Sequence, residues 1–170
     1  FLLLWFSVTH AQDAEPWKRI SQTTDKLIGK SDANKAVLFQ LDEKAFQGKL
    51  KSIQDKQRLK TVIEVTIPNA NGVLERFSIR EDSNFEPELQ AKYPDIRSYS
   101  GVGITDATAV LNFSMSPSGI QTMISRNGNQ MEFIEKDSET ENLYVVFDSK
   151  NKLKERLPFS CSTENVTSSN

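Results

Sequence analysis

The stretch Thr61-Val62-Ile63-Glu64-Val65-Thr66-Ile67, followed by Pro68-Asn69-Ala70-Asn71-Gly72 and then Val73-Leu74-Glu75-Arg76-Phe77-Ser78-Ile79-Arg80, is two β-rich runs on either side of an Asn-Gly turn. Side chains alternate across a strand, so Ile63, Val65 and Ile67 share one face of the first run, and Phe77 and Ile79 share one face of the second. Asn-Gly is the strongest short hairpin signal because both residues tolerate positive φ. The two runs are therefore expected to pair antiparallel.

Strand-like runs recur downstream at 96–99, 107–115, 120–125, 131–135 and 143–147. They are separated by Gly101-Val102-Gly103, Pro117-Ser118-Gly119, Asn127-Gly128-Asn129 and a polar, acidic stretch over 136–142. Short strands with turn signals at this spacing point to an antiparallel meander and not to parallel βαβ units. Upstream, residues 36–41 (AVLFQL) read as a strand. Asp42 is placed to cap a short helix, because Phe46, Leu50 and Ile53 follow at the i, i+4, i+7 spacing of one helical face. A second short helix is expected to start at Ser83 or Asn84, with Glu86 in a capping box, Pro87 in the first turn, and Phe85 and Leu89 on one face. Pro94 stops it, since the residue before a proline disfavours the α region.

The fold class is therefore α+β: mainly an antiparallel β meander, as a sheet or flattened barrel, with two short helices. The β-rich domain is placed at 34–148. Residues 12–33 are mostly polar, with Trp17, Ile20, Leu27 and Ile28 as scattered anchors, and read as a loosely held lead-in segment. After Asp148 come a charged run with Lys150, Lys152, Lys154, Glu155 and Arg156, then Leu157-Pro158-Phe159-Ser160-Cys161, then a Ser/Thr/Asn-rich tail. Such a tail buries too little to offset its ordering entropy, so 149–170 reads as a linker.

Residues 1–8 (FLLLWFSV) are an apolar run of signal-peptide length, too short to span a bilayer. Thr9-His10-Ala11 supplies small residues at the positions signal peptidase inspects, which places cleavage between Ala11 and Gln12. The expected destination is secretion or the cell surface, with no membrane attachment after cleavage and with residues 1–11 read as a leader truncated at its start. Removal of that leader leaves about 160 residues, enough for one domain with a real core. Basic residues are dispersed and the formal net charge is −2, so no nucleic-acid footprint is present in the pattern.

Cleavage there also removes His10, the one histidine of the chain. Imidazole is the usual proton carrier near neutral pH and the commonest metal ligand, so hydrolytic catalysis by this chain alone is not expected. Carboxylates are plentiful, among them Glu64, Glu75, Glu81, Asp82, Glu86, Glu88, Asp106 and Glu132. Strand alternation puts Glu64 and Glu132 opposite the apolar faces, and solvated surface is the expected role of the set. Gly101-Val102-Gly103 lacks the third glycine and the following helix of a phosphate loop, and reads as a bulge or tight connection. The single cysteine, Cys161, excludes an internal disulfide. A thiolate can fill the open position of a catalytic zinc, so Cys161 is either incidental or a blocking ligand for a zinc held elsewhere.

One block can be compared as a whole: residues 89–104 (LQAKYPDIRSYSGVGI), then Asn112-Phe113-Ser114-Met115-Ser116-Pro117-Ser118-Gly119-Ile120, with Ile67-Pro68-Asn69, Gly72 and Phe77-Ser78-Ile79 upstream. Together these resemble the amino-terminal propeptide of bacterial reprolysin-like (adamalysin-type) zinc metallopeptidases. The sharpest parts are Lys92-Tyr93-Pro94-Asp95-Ile96 with Tyr99, and Gly101 with Gly103-Ile104. The zinc-binding helix and catalytic domain of that family are not in this sequence, so enzyme activity and the zinc cofactor do not carry over to it. The resemblance implies an exported prosegment that assists folding and holds a catalytic domain, joined in cis, latent. It also supports Cys161 as an inhibitory zinc ligand. Basic residues in exposed linkers attract proteases, so activation cleavage is expected near Lys154 and Arg156. A free-standing secreted β-rich binding or adhesion module is the alternative.

Overall fold

The structure, a computed structural model, describes residues 15–20, 36–54, 61–83, 85–137 and 140–149. Among the described residues nine strands form one antiparallel sheet, curled into a half-barrel, with two α-helices. The strands are β1 (Trp17–Ile20), β2 (Val37–Leu41), β3 (Ile63–Pro68), β4 (Leu74–Glu81), β5 (Arg97–Gly103), β6 (Val110–Ser116), β7 (Gly119–Arg126), β8 (Gln130–Lys136) and β9 (Leu143–Asp148). The helices are α1 (Glu43–Gln54) and α2 (Pro87–Lys92). In the sheet β3 to β9 run as an uninterrupted meander, and β2 and then β1 add beyond β9.

The expected β3–β4 hairpin forms, with Ile63 opposite Ile79 and Pro68 opposite Leu74. Its turn differs from the expected pair of left-handed residues. Gly72 takes a φ of +79° and Asn71 does not take a positive φ. The Asn69 side-chain carbonyl accepts the N–H groups of Asn71 and Val73, each at 3.0 Å, and this wraps a longer loop around itself.

The inner face holds one core. Phe39 and Leu41 from β2, Val65 and Ile67 from β3, and Phe77 and Ile79 from β4 point into it. Tyr99, Leu111, Phe113, Ile124, Ile134, Tyr144 and Val146 continue it around the sheet. Helix α1 connects β2 with β3, so it crosses the hollow of the sheet from one margin towards the other. The Asp42 carboxylate caps it, accepting the Ala45 N–H at 2.9 Å, and Phe46, Leu50 and Ile53 are all buried against the sheet.

Residues 15–20, the described part of the lead-in segment, are held firmly. Within it β1 pairs with β2, Trp17 opposite Leu41 and Ile20 opposite Leu38. Trp17 is 3% exposed and meets Phe39, Phe46 and Tyr144 edge-on. Aromatic burial holds a strand whose two middle residues, Lys18 and Arg19, are charged. The two sheet margins then approach each other through side chains: Thr66 on β3 donates a hydrogen bond to Glu15, and the Arg19 guanidinium lies against Gly72.

Two further expectations are corrected. Helix α2 starts at Pro87 with Glu86 as its N-cap residue and no side-chain cap bond, whereas Ser83 bonds Gln90 across the helix. No residue of α2 is buried, and Leu89 is exposed. Gly101-Val102-Gly103 is the end of strand β5, not a connection: Gly101 pairs with both Ile79 and Leu111, and Gly103 closes the strand opposite Phe77. A Cβ on Gly101 would stand 2.6 Å from the Ile79 side chain and 2.7 Å from the Ser78 carbonyl, and one on Gly103 would fall on the Asp106 carbonyl. Glycine is required there because neighbouring backbone comes too close for any side chain.

Candidate functional site

At one end of the half-barrel, three carboxylates converge on one guanidinium. Arg126, the last residue of β7, donates from Nε to Glu132 at 2.9 Å, from Nη1 to Asp106 at 2.7 Å and from Nη2 to Glu75 at 2.6 Å. Glu132 lies on β8 and Glu75 on β4, while Asp106 belongs to the β5–β6 turn. Glu132 and Glu75 are 2% and 8% exposed, which overturns their expected place on solvated surface. Glu132 is on the inner face because the β7–β8 register sets it opposite Ile124, so Met131 and Phe133 face outward instead. Glu64 does face outward, in an exposed pair with Arg76.

Every carboxylate oxygen in this cluster has a donor. The second Glu75 oxygen accepts the Asn69 amide at 2.7 Å, the second Glu132 oxygen accepts the Ala70 N–H at 3.1 Å, and the second Asp106 oxygen accepts Thr108 N–H and hydroxyl at 2.9 and 2.7 Å. Burial opposes the Arg126 charge, but its hydrogen bonds to Glu132, Glu75 and Asp106 outweigh that and push its pKa further above the ordinary value. Each of these carboxylates is engaged through both oxygens by internal donors. The chemistry of the cluster is cohesion: it ties the β3–β4 turn, the β5–β6 turn and the β7–β8 hairpin into one unit.

The Asp106 carboxyl is held below its ordinary range, first by the Thr108 hydroxyl and N–H and then by Arg126. A carboxyl with a lowered folded-state pKa stabilises the fold above its unfolded-state value and loses that contribution as pH falls through the folded value. Asp106→Asn is accordingly expected to flatten the acid limb of the stability curve below the ordinary carboxylate range. Thermal midpoints of variant and parent measured from pH 6 to pH 2 should converge on the acid side; parallel curves would contradict the assignment.

A second polar group sits where α1 begins. Glu43 accepts both Lys136 Nζ at 2.6 Å and the Tyr144 hydroxyl at 2.7 Å, and Tyr144 in turn accepts the Ile120 N–H at 3.2 Å. Burial and the Glu43 bond push the phenol well above its ordinary pKa, so it remains a neutral donor. On the outer face of β5–β8 lies an open trough of about 450 Å³, lined by Ser98, Ser100, Asn112, Ser114, Phe133 and Glu135 among others.

The processing and zinc-blocking residues named from the sequence, Ala11, Gln12, Lys154, Arg156 and Cys161, lie outside the described residues. Among the described residues no group of three or more His, Cys, Asp or Glu is placed to hold a metal ion. No described helix is long and apolar enough to cross a membrane. The Arg126 cluster was not read from the sequence. Its one local signal is that Arg126 and Glu132 flank the Asn127-Gly128-Asn129 turn, where Gly128 and Asn129 take left-handed φ of 77° and 59°. No family model, curated protein or solved structure matches this chain.

Proposed function

We propose that this chain is the exported prosegment of a secreted zinc metallopeptidase, a β scaffold that helps the catalytic domain fold and keeps it latent. The observation that carries the reading is the propeptide-like block. Its sharpest residues occupy demanding places in the fold: Pro94 ends α2, Tyr99 stacks on Phe113 in the core, and Gly101 and Gly103 sit where backbone crowds backbone. The buried carboxylates also favour a scaffold, since each is consumed by internal donors. In this reading the zinc belongs to the catalytic domain, and Cys161 is the thiol with which the prosegment would meet it.

The test mixes the purified chain with the peptidase domain of the same gene. Inhibition at micromolar prosegment is the expected result. Full proteolysis at that concentration, or a gene encoding no peptidase, overturns the reading. Cys161→Ala that still inhibits would remove the thiol and leave the rest. The hydroxyl- and amide-lined trough favours the alternative, a free-standing secreted binding module, which fits the size range of ligand sites, roughly 300–1,000 Å³.

A further inference from the structure

The sequence holds two Asn-Gly pairs, Asn71-Gly72 in the β3–β4 turn and Asn127-Gly128 in the β7–β8 turn. Asparagine is a thermally labile side chain. A glycine after it leaves the next backbone nitrogen open to the asparagine side chain, because no Cβ stands in the way. Both asparagines are exposed, and both glycines take a positive φ, +79° and +77°. Neither exposure nor backbone region tells the two pairs apart.

Their surroundings do. The Gly72 N–H donates to the Asn69 carbonyl at 2.9 Å, and the Asn71 N–H donates to the Asn69 side chain at 3.0 Å. Asn69 is itself buried and bonds Glu75 at 2.7 Å. A Cβ on Gly72 would stand 2.7 Å from the Arg19 guanidinium carbon, so this pair is boxed in. The Gly72 nitrogen reaches the Asn71 side chain only by breaking these contacts. Around Gly128 an added Cβ would meet nothing within 4 Å, and the residue is exposed.

We propose that Asn127 is a site of spontaneous covalent modification, and that the fold shields the identical dipeptide at Asn71. In the reaction the Gly128 backbone nitrogen attacks the Asn127 side-chain amide carbon. The new C–N bond forms, the bond to the side-chain nitrogen breaks, and the Gly128 proton leaves with that nitrogen as ammonia. Water then opens the cyclic imide at either carbonyl, giving aspartate or isoaspartate. Water is the co-reactant, and nothing is oxidised or reduced.

The position matters because of its neighbour. Arg126, which binds Glu132, Asp106 and Glu75, directly precedes Asn127, and its ion pair with Glu132 spans this turn. Isoaspartate routes the main chain through the former side chain, adding a carbon to the short connection between Arg126 and its partner Gln130. Either product also sets a further carboxylate next to a cation that already serves three. Conversion therefore loosens the cluster from its hairpin end. None of this rests on the prosegment reading.

The experiment holds the full chain at mildly alkaline pH and body temperature and follows both sites by peptide mapping and mass spectrometry. Asn127 is expected to convert at least about tenfold faster than Asn71, a factor that one backbone hydrogen bond to be broken supplies. In guanidinium chloride the two rates should converge. Equal native rates, or a faster Asn71, overturn the site; a difference that persists in denaturant overturns the role given to the fold. The more acidic product, separated by ion exchange, should unfold at lower urea than the unaltered chain, and an Asn127→Ser form aged alongside should keep its starting midpoint. Unchanged stability of the product overturns the coupling to Arg126.

Discussion

Replacing Arg126 with methionine is expected to remove about 3–5 kcal/mol of stability, the cost typical of stranding buried charge by deleting its partner. Methionine fills much of the same volume but leaves Glu75 and Glu132, both nearly inaccessible to water, without the cation that donates to them and balances their charge. A typical domain has only about 5–15 kcal/mol in total, so the variant should sit close to its unfolding transition at body temperature. Urea denaturation followed by fluorescence of Trp17 reads the loss directly. The mechanism has its own control: adding Glu75→Gln and Glu132→Gln in the Arg126→Met background should restore a good part of the deficit, because the amides keep acceptors for Asn69 and Ala70 without charge. A loss below about 1 kcal/mol would mean the cluster behaves like solvent-exposed ion pairs.

Phe46→Ala should cost a similar amount, about 3–5 kcal/mol, by a different route. Phe46 has no exposed surface and touches Trp17 edge-on at 6.2 Å and Phe113 at 6.0 Å between ring centroids. Removing the ring leaves a void between α1 and the sheet that the antiparallel strands, locked by their ladders, close only in part. Phe46→Leu keeps most of the volume and should cost clearly less. Near-ultraviolet dichroism should fall with the alanine variant even where the far-ultraviolet β signal persists. Equal stability of the alanine and leucine forms would mean α1 is not anchored through this ring.

Much of this architecture was legible because the period of two is strong where one face is dry. Ile63, Val65 and Ile67 and the run from Ile120 to Ile124 announce their faces, and Asp42 with Phe46, Leu50 and Ile53 announces α1. What stayed hidden depends on partners distant in sequence. Trp17-Lys18-Arg19-Ile20 is too short and too charged to read as a strand, and becomes one by pairing with β2 and burying an indole among Phe39, Phe46 and Tyr144. Met131-Glu132-Phe133 misleads because its two apolar residues face outward while the carboxylate turns in to Arg126. Gly101 and Gly103 read in isolation as a bulge or tight connection, yet they serve close packing between strands. The α2 cap was misplaced because Ser83 spends its hydroxyl on Gln90 instead of on the helix end. The cluster on Arg126 gathers from β4, β7, β8 and two turns, a convergence that no local spacing encodes.

The neighbour of β2 in the sheet is β9, with Val37 opposite Val146. That partner is synthesised about a hundred residues later, so the ladder is among the most non-local contacts the chain makes and is slow to form. A growing polypeptide emerging from a ribosome or a translocon can zip the β3–β8 hairpins one by one, yet the β1–β2 pair has no place in that sheet until β9 is delivered. Completion of the sheet is thereby timed to the arrival of β9, and not to the hairpins that precede it.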